Sequence, residues 1–368
     1  MCKTPYLLPA GLFCLLSFAC LFSCHKTNPI TKPTDSTTTD TTPVKNYYVT
    51  TLAGTGQAGF INGADSLSQF NEPWTIAVDN QGNVFVGDQG NFAIRKITPA
   101  GQVSTFAGPS ISTQPIFDNV AGLVTDQQGN LFMPDYLGIR EITPAGVNSV
   151  LAGKDSIGFR DGTDTNALFH ATFNVAIDRQ NNLYLVDFDT NFLFRVRKVT
   201  PAGVVTTLPL QDNTGINSDG TVNGSQAGWN PWEIAVDSVG NIYVSAGLLR
   251  SSIKKITQQG AVSIYAGLAT YGQVDGGKDS AKFYDISGLA FDPYGNLLVT
   301  EGGGNDVRKI TPNGTVSTIA GLPGYPAFED GQGYSAWFNN PRSIAIDRQG
   351  NIYVADLNNN RIRKIVYR

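Results

Sequence analysis

Residues 341–365 read PRSIAIDRQGNIYVADLNNNRIRKI, and variants of this line recur along the chain. Each variant has an apolar run that ends in aspartate, a turn that usually contains Gly-Asn, and a second apolar run. An Arg-Lys-Ile segment, a Thr-Pro-x-Gly turn and a third apolar run usually follow. The anchoring aspartates lie 47 to 59 residues apart, at Asp79, Asp126, Asp178, Asp237, Asp292 and Asp347. Self-similarity at this period is typical of a solenoid, a propeller or another repeat array.

The first repeat unit divides into four short strands, predicted at 74–78, 84–86, 94–97 and 103–107. Gly82 suits a positive φ in the turn after the first strand, and Pro99 fixes φ in the turn after the third. Four short strands joined by tight turns form one antiparallel blade of a β-propeller.

The sixth repeat unit lacks a fourth strand, because the chain stops after the apolar run at 362–366. An unmatched run at 48–54 precedes the first unit, and it is similar to the fourth strand of unit five at 316–321. Pairing this run with unit six would close a ring and remove the exposed sheet edges. The sequence therefore predicts an all-β, six-bladed β-propeller with four antiparallel strands per blade, whose last blade is completed by the N-terminal strand.

The units resemble the NHL repeat family over roughly residues 47 to 368. The resemblance rests on the patterns Pro73-x-x-Ile76-Ala77-Val78-Asp79, Gly82-Asn83-Val84-Phe85-Val86-x-Asp88 and Asn91-x-x-Ile94-Arg95-Lys96, and on their counterparts in 341–365. Units two, four and five match more loosely. The resemblance implies a six-bladed propeller, and members of the family serve as binding platforms, lyases or lactonase-like enzymes.

The N-terminal region is typical of a secreted bacterial lipoprotein. Lys3 precedes an apolar run at 6–22, and Leu21-Phe22-Ser23-Cys24 resembles a lipobox, which implies cleavage before Cys24 and lipidation of that residue. We therefore predict a lipoprotein signal peptide at 1–23, a disordered Thr/Pro-rich tether at 24–45 and the propeller at 46–368. A plain signal peptide, an uncleaved anchor or lipidation at Cys20 are the alternatives. The predicted location is the bacterial cell envelope, with the outer membrane favoured.

Charge and composition exclude several functions. The net charge is −4 with 15% charged residues and no basic stretch, so nucleic-acid binding is not expected. The two histidines, His25 and His170, cannot form a multi-histidine zinc site within one chain. No nucleophile elbow, phosphate loop or dinucleotide fingerprint is present. We predict no cofactor, although recurrent Gly/Asp clusters such as 158–162 leave calcium or another divalent ion open.

Two classes of loop differ sharply in length. The turns between strands one and two, and between strands three and four, are short and share one face of a propeller. The connections from strand four to the next strand one are long and share the opposite face with the loops between strands two and three. We call this opposite face the loop-rich face. Loops held on a rigid scaffold often carry function, so we expect the ligand there.

The first residues of the inner strands lie beside the loop-rich face and predict a ligand-binding mouth of the central channel. The candidate ligand-binding residues are Trp74, Phe173, Asn174, Trp232, Glu233 and Arg342. Aromatic rings with a few polar groups suit a glycan or a protein ligand. The competing interpretation is that these rings pack between blades. We expect a monomeric binding module with no catalytic residue and with membrane contact only through the lipid.

A metal-dependent lactonase or esterase-like hydrolase is the alternative function, with its site in the channel mouth. It would need acids such as Glu233 and an asparagine such as Asn174 pointing into one channel.

A second set of acids ends strand two of most units, at Asp88, Asp135, Asp187, Glu301 and Asp356. These acids could form a metal-binding ring, but an arginine follows three of them by seven residues. Unit four has Ala246 in place of the acid and Lys254 in place of the arginine. This joint loss favours a structural ion pair inside each blade.

Overall fold

The computed structural model describes residues 46–108, 120–135, 137–154, 156–188, 193–210, 222–223, 229–268 and 270–368. The predicted signal peptide at 1–23, the lipidated Cys24 and the tether at 24–45 lie outside the described residues. Across the described ranges, no helix has the length and apolar character needed to cross a membrane.

The described part of the chain folds into six antiparallel sheets arranged as the blades of a propeller. From the inner to the outer strand, the blades comprise Pro73–Val78, Val84–Asp88, Ala93–Ile97 and Val103–Ala107 (blade 1); Val124–Thr125, Leu131–Pro134, Gly138–Ile142 and Asn148–Gly153 (blade 2); Thr172–Ile177, Leu183–Phe188, Leu193–Val199 and Val204–Thr207 (blade 3); Trp229–Val236, Ile242–Ala246, Ser252–Ile256 and Val262–Ala266 (blade 4); Ile286–Phe291, Leu297–Glu301, Asp306–Ile310 and Thr315–Ala320 (blade 5); Pro341–Ile346, Ile352–Asp356, Arg361–Tyr367 and Tyr47–Ala53 (blade 6).

Short secondary-structure elements lie on the side of the blades that carries the long connections. Two-residue strands lie at Gly162–Thr163, Val222–Asn223, Gly276–Gly277 and Gly331–Gln332. Single turns of 3-10 helix lie at Gln89–Asn91, Asp164–Asn166, Leu248–Arg250, Gly333–Ser335 and Leu357–Asn359.

The N-terminal strand completes the last blade, as the sequence predicts. Tyr47–Ala53 pairs antiparallel with Arg361–Tyr367, with Tyr47 opposite Tyr367 and Ala53 opposite Ile362. The rings of Tyr47 and Tyr367 lie 4.8 Å apart. Because the outer strand of blade 6 comes from the other end of the chain, the ring closes by backbone hydrogen bonds.

The recurrent aspartate holds the turn between the two inner strands of each blade. In blade 1, Asp79 Oδ1 accepts hydrogen bonds from the backbone N–H groups of Gln81 and Asn83, and Oδ2 accepts from the Asn83 amide at 2.7 Å. Gly82 has φ = 79°, a left-handed conformation that glycine adopts without steric cost. Blade 3 places Asn181 there at φ = 62°, and asparagine tolerates this region best after glycine.

The hydrophobic core consists of six layers, each lying between neighbouring blades. The layer between blades 6 and 1, for example, packs Ile76 and Val86 against Tyr353 and Ile362. Five corresponding layers join the remaining pairs of adjacent blades. Each blade therefore buries both faces of its sheet, and the closed ring leaves no terminal blade to cap.

The strand-two acids are engaged in ion pairs within their blades. Asp88 pairs with Arg95 at 2.8 Å, and both side chains are fully buried. Asp187–Arg197, Glu301–Arg308 and Asp356–Arg363 repeat this arrangement at 2.6, 2.7 and 2.8 Å, and Asp135 pairs with Arg140. The expected structural pairing is confirmed, and it extends to blade 3, where the arginine follows the acid by ten residues.

Each buried arginine also ties down the long connection of its blade. Arg363 donates to Asp330 Oδ1 at 2.7 Å, and Asp330 accepts from the backbone and hydroxyl of Thr51. Arg197–Asp161–Thr207 and Arg308–Asp275–Thr318 repeat the network, and Asn62 takes the place of the aspartate in blade 1. The Gly/Asp clusters thus lock the long connections onto the outer strands.

Candidate functional site

The inner strands of all six blades line a central channel of about 270 Å³. Small side chains, among them Ala77, Ala176 and Ala345, line its interior. Thr75, Asn174, Glu233 and Ser343 lie nearer the ends of the strands that face the long connections. We use "channel mouth" for this end of the ring. Of the six candidate residues, Asn174 and Glu233 line the channel itself, whereas Trp74, Phe173, Trp232 and Arg342 directly precede lining residues near the start of the inner strands.

Trp74 and Arg342 come together on one side of the channel mouth. They occupy equivalent positions in blades 1 and 6, and the guanidinium carbon of Arg342 lies 4.1 Å from the centroid of the Trp74 ring. Both side chains are half-buried. This stack orients the guanidinium but leaves its hydrogen-bonding edge for other partners.

Phe173 and Trp232 form an aromatic pair on another side, from equivalent positions in blades 3 and 4. Their ring centroids lie 5.1 Å apart, and Phe188 contacts both rings at 5.9 and 6.0 Å. The competing interpretation holds in part, because these rings do pack across a blade boundary. Phe173 and Trp232 are nonetheless only half-buried, so each keeps part of its surface exposed.

Asn174 and Glu233 project from the same two strands and contact each other. The Asn174 amide donates to Glu233 Oε2 at 2.6 Å, and Asn174 Oδ1 accepts from the Val175 backbone at 2.8 Å. Gly122 in blade 2 permits this packing, because a Cβ atom there would lie 2.9 Å from the Asn174 Cα atom.

Glu233 is buried, with 7% of its surface exposed. Burial raises its pKa to about 8, although the charges of Arg342 and Arg250 oppose the shift. At neutral pH the protonated, uncharged form therefore predominates.

Arg250 and Asp285 add an ion pair that the sequence analysis missed. Arg250 Nε donates to Asp285 Oδ1 at 2.7 Å, and one terminal nitrogen contacts the same oxygen. The charges of both residues act on Glu233 and Arg342, which places the pair beside the channel mouth. Asp285 directly precedes the inner strand of blade 5, on the loop-rich face. This position could have identified Asp285 as a candidate site residue, but nothing in the sequence indicated that it would pair with Arg250.

The backbone around this ion pair is held in sparsely populated conformations. Leu249, Arg250 and Asp285 have φ values of 52°, 48° and 63°. The Asp285 N–H donates to the Leu249 carbonyl at 3.0 Å, which joins blades 4 and 5. At two other blade junctions the backbone N–H groups of Glu72 and Asn340 donate to the side-chain Oδ1 atoms of Asn360 and Asn305, and all four residues have positive φ.

The acids of the described residues do not assemble into a metal-binding group. Within the described ranges, no group of three or more His, Cys, Asp or Glu side chains is placed to hold a metal ion. The strand-two acids contact arginines instead, and the aspartates of the Gly/Asp clusters in blades 3, 5 and 6 do the same. Asn174 and Glu233 meet in the channel, as the lactonase hypothesis requires, but they bond to each other.

A comparison of the sequence with known protein families finds the NHL repeat in two of the blades. The model described as "NHL repeat" matches residues 70–97 and 338–365, which lie in blades 1 and 6. The chain is thus a six-bladed β-propeller with four-stranded blades, and its blades 1 and 6 match the NHL repeat.

Several solved structures and curated proteins are similar to this chain. A protein of unknown function from Bacteroides thetaiotaomicron is 23% identical, with a TM-score of 0.69 over 88% of this chain and 76% of that chain. An auxiliary nutrient binding protein from Bacteroides ovatus is 19% identical, with a TM-score of 0.67 over 88% and 77%. Teneurin-3 from Danio rerio is 26% identical over 86% of this chain, which spans 13% of the length of that protein.

Proposed function

We propose that this protein is an envelope-anchored binding module that engages a glycan at the channel mouth of its loop-rich face. One observation carries the proposal. Six side chains near the start of the inner strands of four blades form three contacting pairs, Trp74–Arg342, Phe173–Trp232 and Asn174–Glu233, and the last pair lines the channel. Two of the pairs supply aromatic surface, and the third supplies polar groups, which is the usual composition of a small-ligand site.

The chemistry of the channel mouth favours a sugar ring as the bound group. The half-buried faces of Trp74 and Trp232 can stack on the C–H faces of a sugar, and Asn174 and Arg342 can bond to its hydroxyl groups. The similar fold of an auxiliary nutrient binding protein from Bacteroides ovatus supports a binding role. The lipid on Cys24 and the tether at 24–45 would hold a monomeric domain away from the membrane surface.

A glycan array and a peptide array probed with the purified protein test the proposal. We expect binding to glycans and its loss in Trp232→Ala, with a Tm close to that of the wild type. Trp337→Ala is the matched control, because Trp337 is also half-buried and packs on one aromatic ring, Tyr325, at 5.2 Å. A large fall in Tm with unchanged binding in Trp232→Ala would instead assign Trp232 to inter-blade packing.

The hydrolase alternative retains one favourable observation, the meeting of Asn174 and Glu233 in the channel. Metal analysis of the purified protein separates the two functions. A stoichiometric divalent ion that is lost in Glu233→Gln would favour the metal-dependent lactonase or esterase over the binding module.

A further inference from the structure

Arg342 is a cation without a counter-ion at the channel mouth. Among the described residues, no carboxylate lies within ion-pair distance of its guanidinium group, and its buried Nε atom has no hydrogen-bond partner. The Nε atoms of Arg95, Arg197, Arg308 and Arg363 also lack a hydrogen-bond partner, but each of those arginines is paired with a buried carboxylate. Arg342 differs from them because no described carboxylate pairs with it, and a ligand could supply the missing charge.

The two nearby acids do not neutralise Arg342. Asp285 is already paired with Arg250, which donates to it through two nitrogens. Glu233 is bonded to Asn174, and burial raises its pKa to about 8, so it is mainly uncharged at neutral pH. These four charged or titratable groups, from blades 4, 5 and 6, act on one another. Two guanidinium groups thus face one ionised carboxylate, and the channel mouth has an excess of one positive charge.

We propose that the channel mouth recognises the carboxylate of an acidic sugar, with Arg342 as the specificity-determining residue. This inference rests on the proposed glycan-binding function and names the class of its ligand. The stack on Trp74 presents the guanidinium edge, which matches a carboxylate in geometry and can donate two parallel hydrogen bonds. Trp74 and Trp232 then pack on the ring that carries the carboxylate.

The site favours a sugar acid over an acidic peptide. Its apolar surface consists of half-buried aromatic rings, which suit the flat faces of a pyranose. A channel of about 270 Å³ lies just below the usual volume of small-ligand pockets, about 300–1,000 Å³, so it suits a ligand no larger than a single ring.

Tryptophan fluorescence tests the inference, because Trp74 and Trp232 line the channel mouth. The protein is titrated with D-glucuronate, with uncharged D-glucose and with N-acetyl-aspartate as an acidic peptide mimic. We expect a saturable response to glucuronate alone, weakened roughly tenfold or more in Arg342→Gln, because a hydrogen-bonded charge pair is lost. Arg361→Gln is the matched control, since Arg361 also stacks on an aromatic ring, Phe328, at 3.7 Å.

A second measurement compares pH 6.5 with pH 9.5. Ionisation of Glu233 above its pKa of about 8 adds a negative charge beside Arg342, so glucuronate affinity falls as pH rises. Glu233→Gln removes this pH dependence, whatever its affinity at pH 6.5. The variant therefore separates an effect of Glu233 from any pH effect on folding.

The outcomes distinguish this inference from the proposed function. An equal response to glucose, a preference for N-acetyl-aspartate, no response to glucuronate, or full affinity in Arg342→Gln overturns the acidic-sugar assignment. Neutral glycans bound on the array would then still support a glycan-binding propeller. Failure on the glycan array, with peptides bound instead, overturns both proposals.

Discussion

Replacement of Arg363 by methionine should destabilise the propeller more than any other conservative change on its strand. Arg363 is fully buried and makes four hydrogen bonds, to Asp356 Oδ2, Asp330 Oδ1 and the carbonyls of Trp337 and Glu329, all between 2.7 and 2.8 Å. The residue lies in the strand that receives the N-terminal strand. Its network therefore holds the junction on which ring closure depends.

The expected loss of stability follows from the polar and charged groups that lose Arg363 as a partner. Removal of one partner from a buried ion pair costs about 3–5 kcal/mol, because the remaining charge stays buried without compensation. Here the remaining charge is that of Asp356, whose surface is fully buried. Two carbonyl groups also lose a donor, while the apolar methionine recovers part of the lost packing. We expect the free energy of unfolding to fall by about 4–5 kcal/mol.

Urea denaturation followed by tryptophan fluorescence measures this loss. Lys364→Met is the control on the adjacent residue, whose Nζ atom lies 5.5 Å from the Tyr353 ring, and it should cost no more than about 1 kcal/mol. The double variant Arg363→Met/Asp356→Asn should recover part of the loss, since it also removes the stranded charge. A loss below about 1 kcal/mol in Arg363→Met, or strict additivity in the double variant, would refute the reasoning.

Two further predictions concern closure and pH. Val49 is buried in the layer between blades 5 and 6, so Val49→Asp should detach the N-terminal strand and raise proteolysis of 46–53, whereas the same change at exposed Val150 should have little effect. Folding raises the pKa of Glu233 from 4.5 to about 8, so between these pH values the residue is ionised in the unfolded chain and protonated in the folded protein. The free energy of unfolding therefore falls as pH rises from 4.5 to about 8. Glu233→Gln should match the wild type in urea denaturation near pH 4.5 and exceed it at pH 8.5; an equal difference at both values would contradict the shifted pKa.

The sequence predicts the location of the channel mouth because position in a repeat translates directly into position in the ring. Trp74, Phe173, Trp232 and Arg342 occupy the same place in four units, so four equivalent strands carry them at the same end of their blades. The sequence could not show which neighbours would touch. Trp74 meets Arg342 only because blade 1 lies beside blade 6 after closure.

The ion pair between Arg250 and Asp285 shows where prediction from repeats fails. Both residues lie in irregular segments at a blade junction, and they are 35 positions apart. The repeat pattern constrains strands and tight turns, in which each residue has a fixed environment. It does not constrain loops of variable length, so contacts between two loops follow only from their folded path.

The sequence by itself determined the number of blades, the closure of the ring and the pairing of the strand-two acids with arginines. These features depend on the alternation of apolar and polar residues, on the residues of the tight turns and on the register of the repeats, all of which can be identified along the sequence. Only the tertiary structure decided that Glu233 is buried and bonded to Asn174, and that Arg342 has no carboxylate among the described residues. Charge state and ligand preference depend on burial and on distances between blades, and those quantities exist only once the ring is assembled.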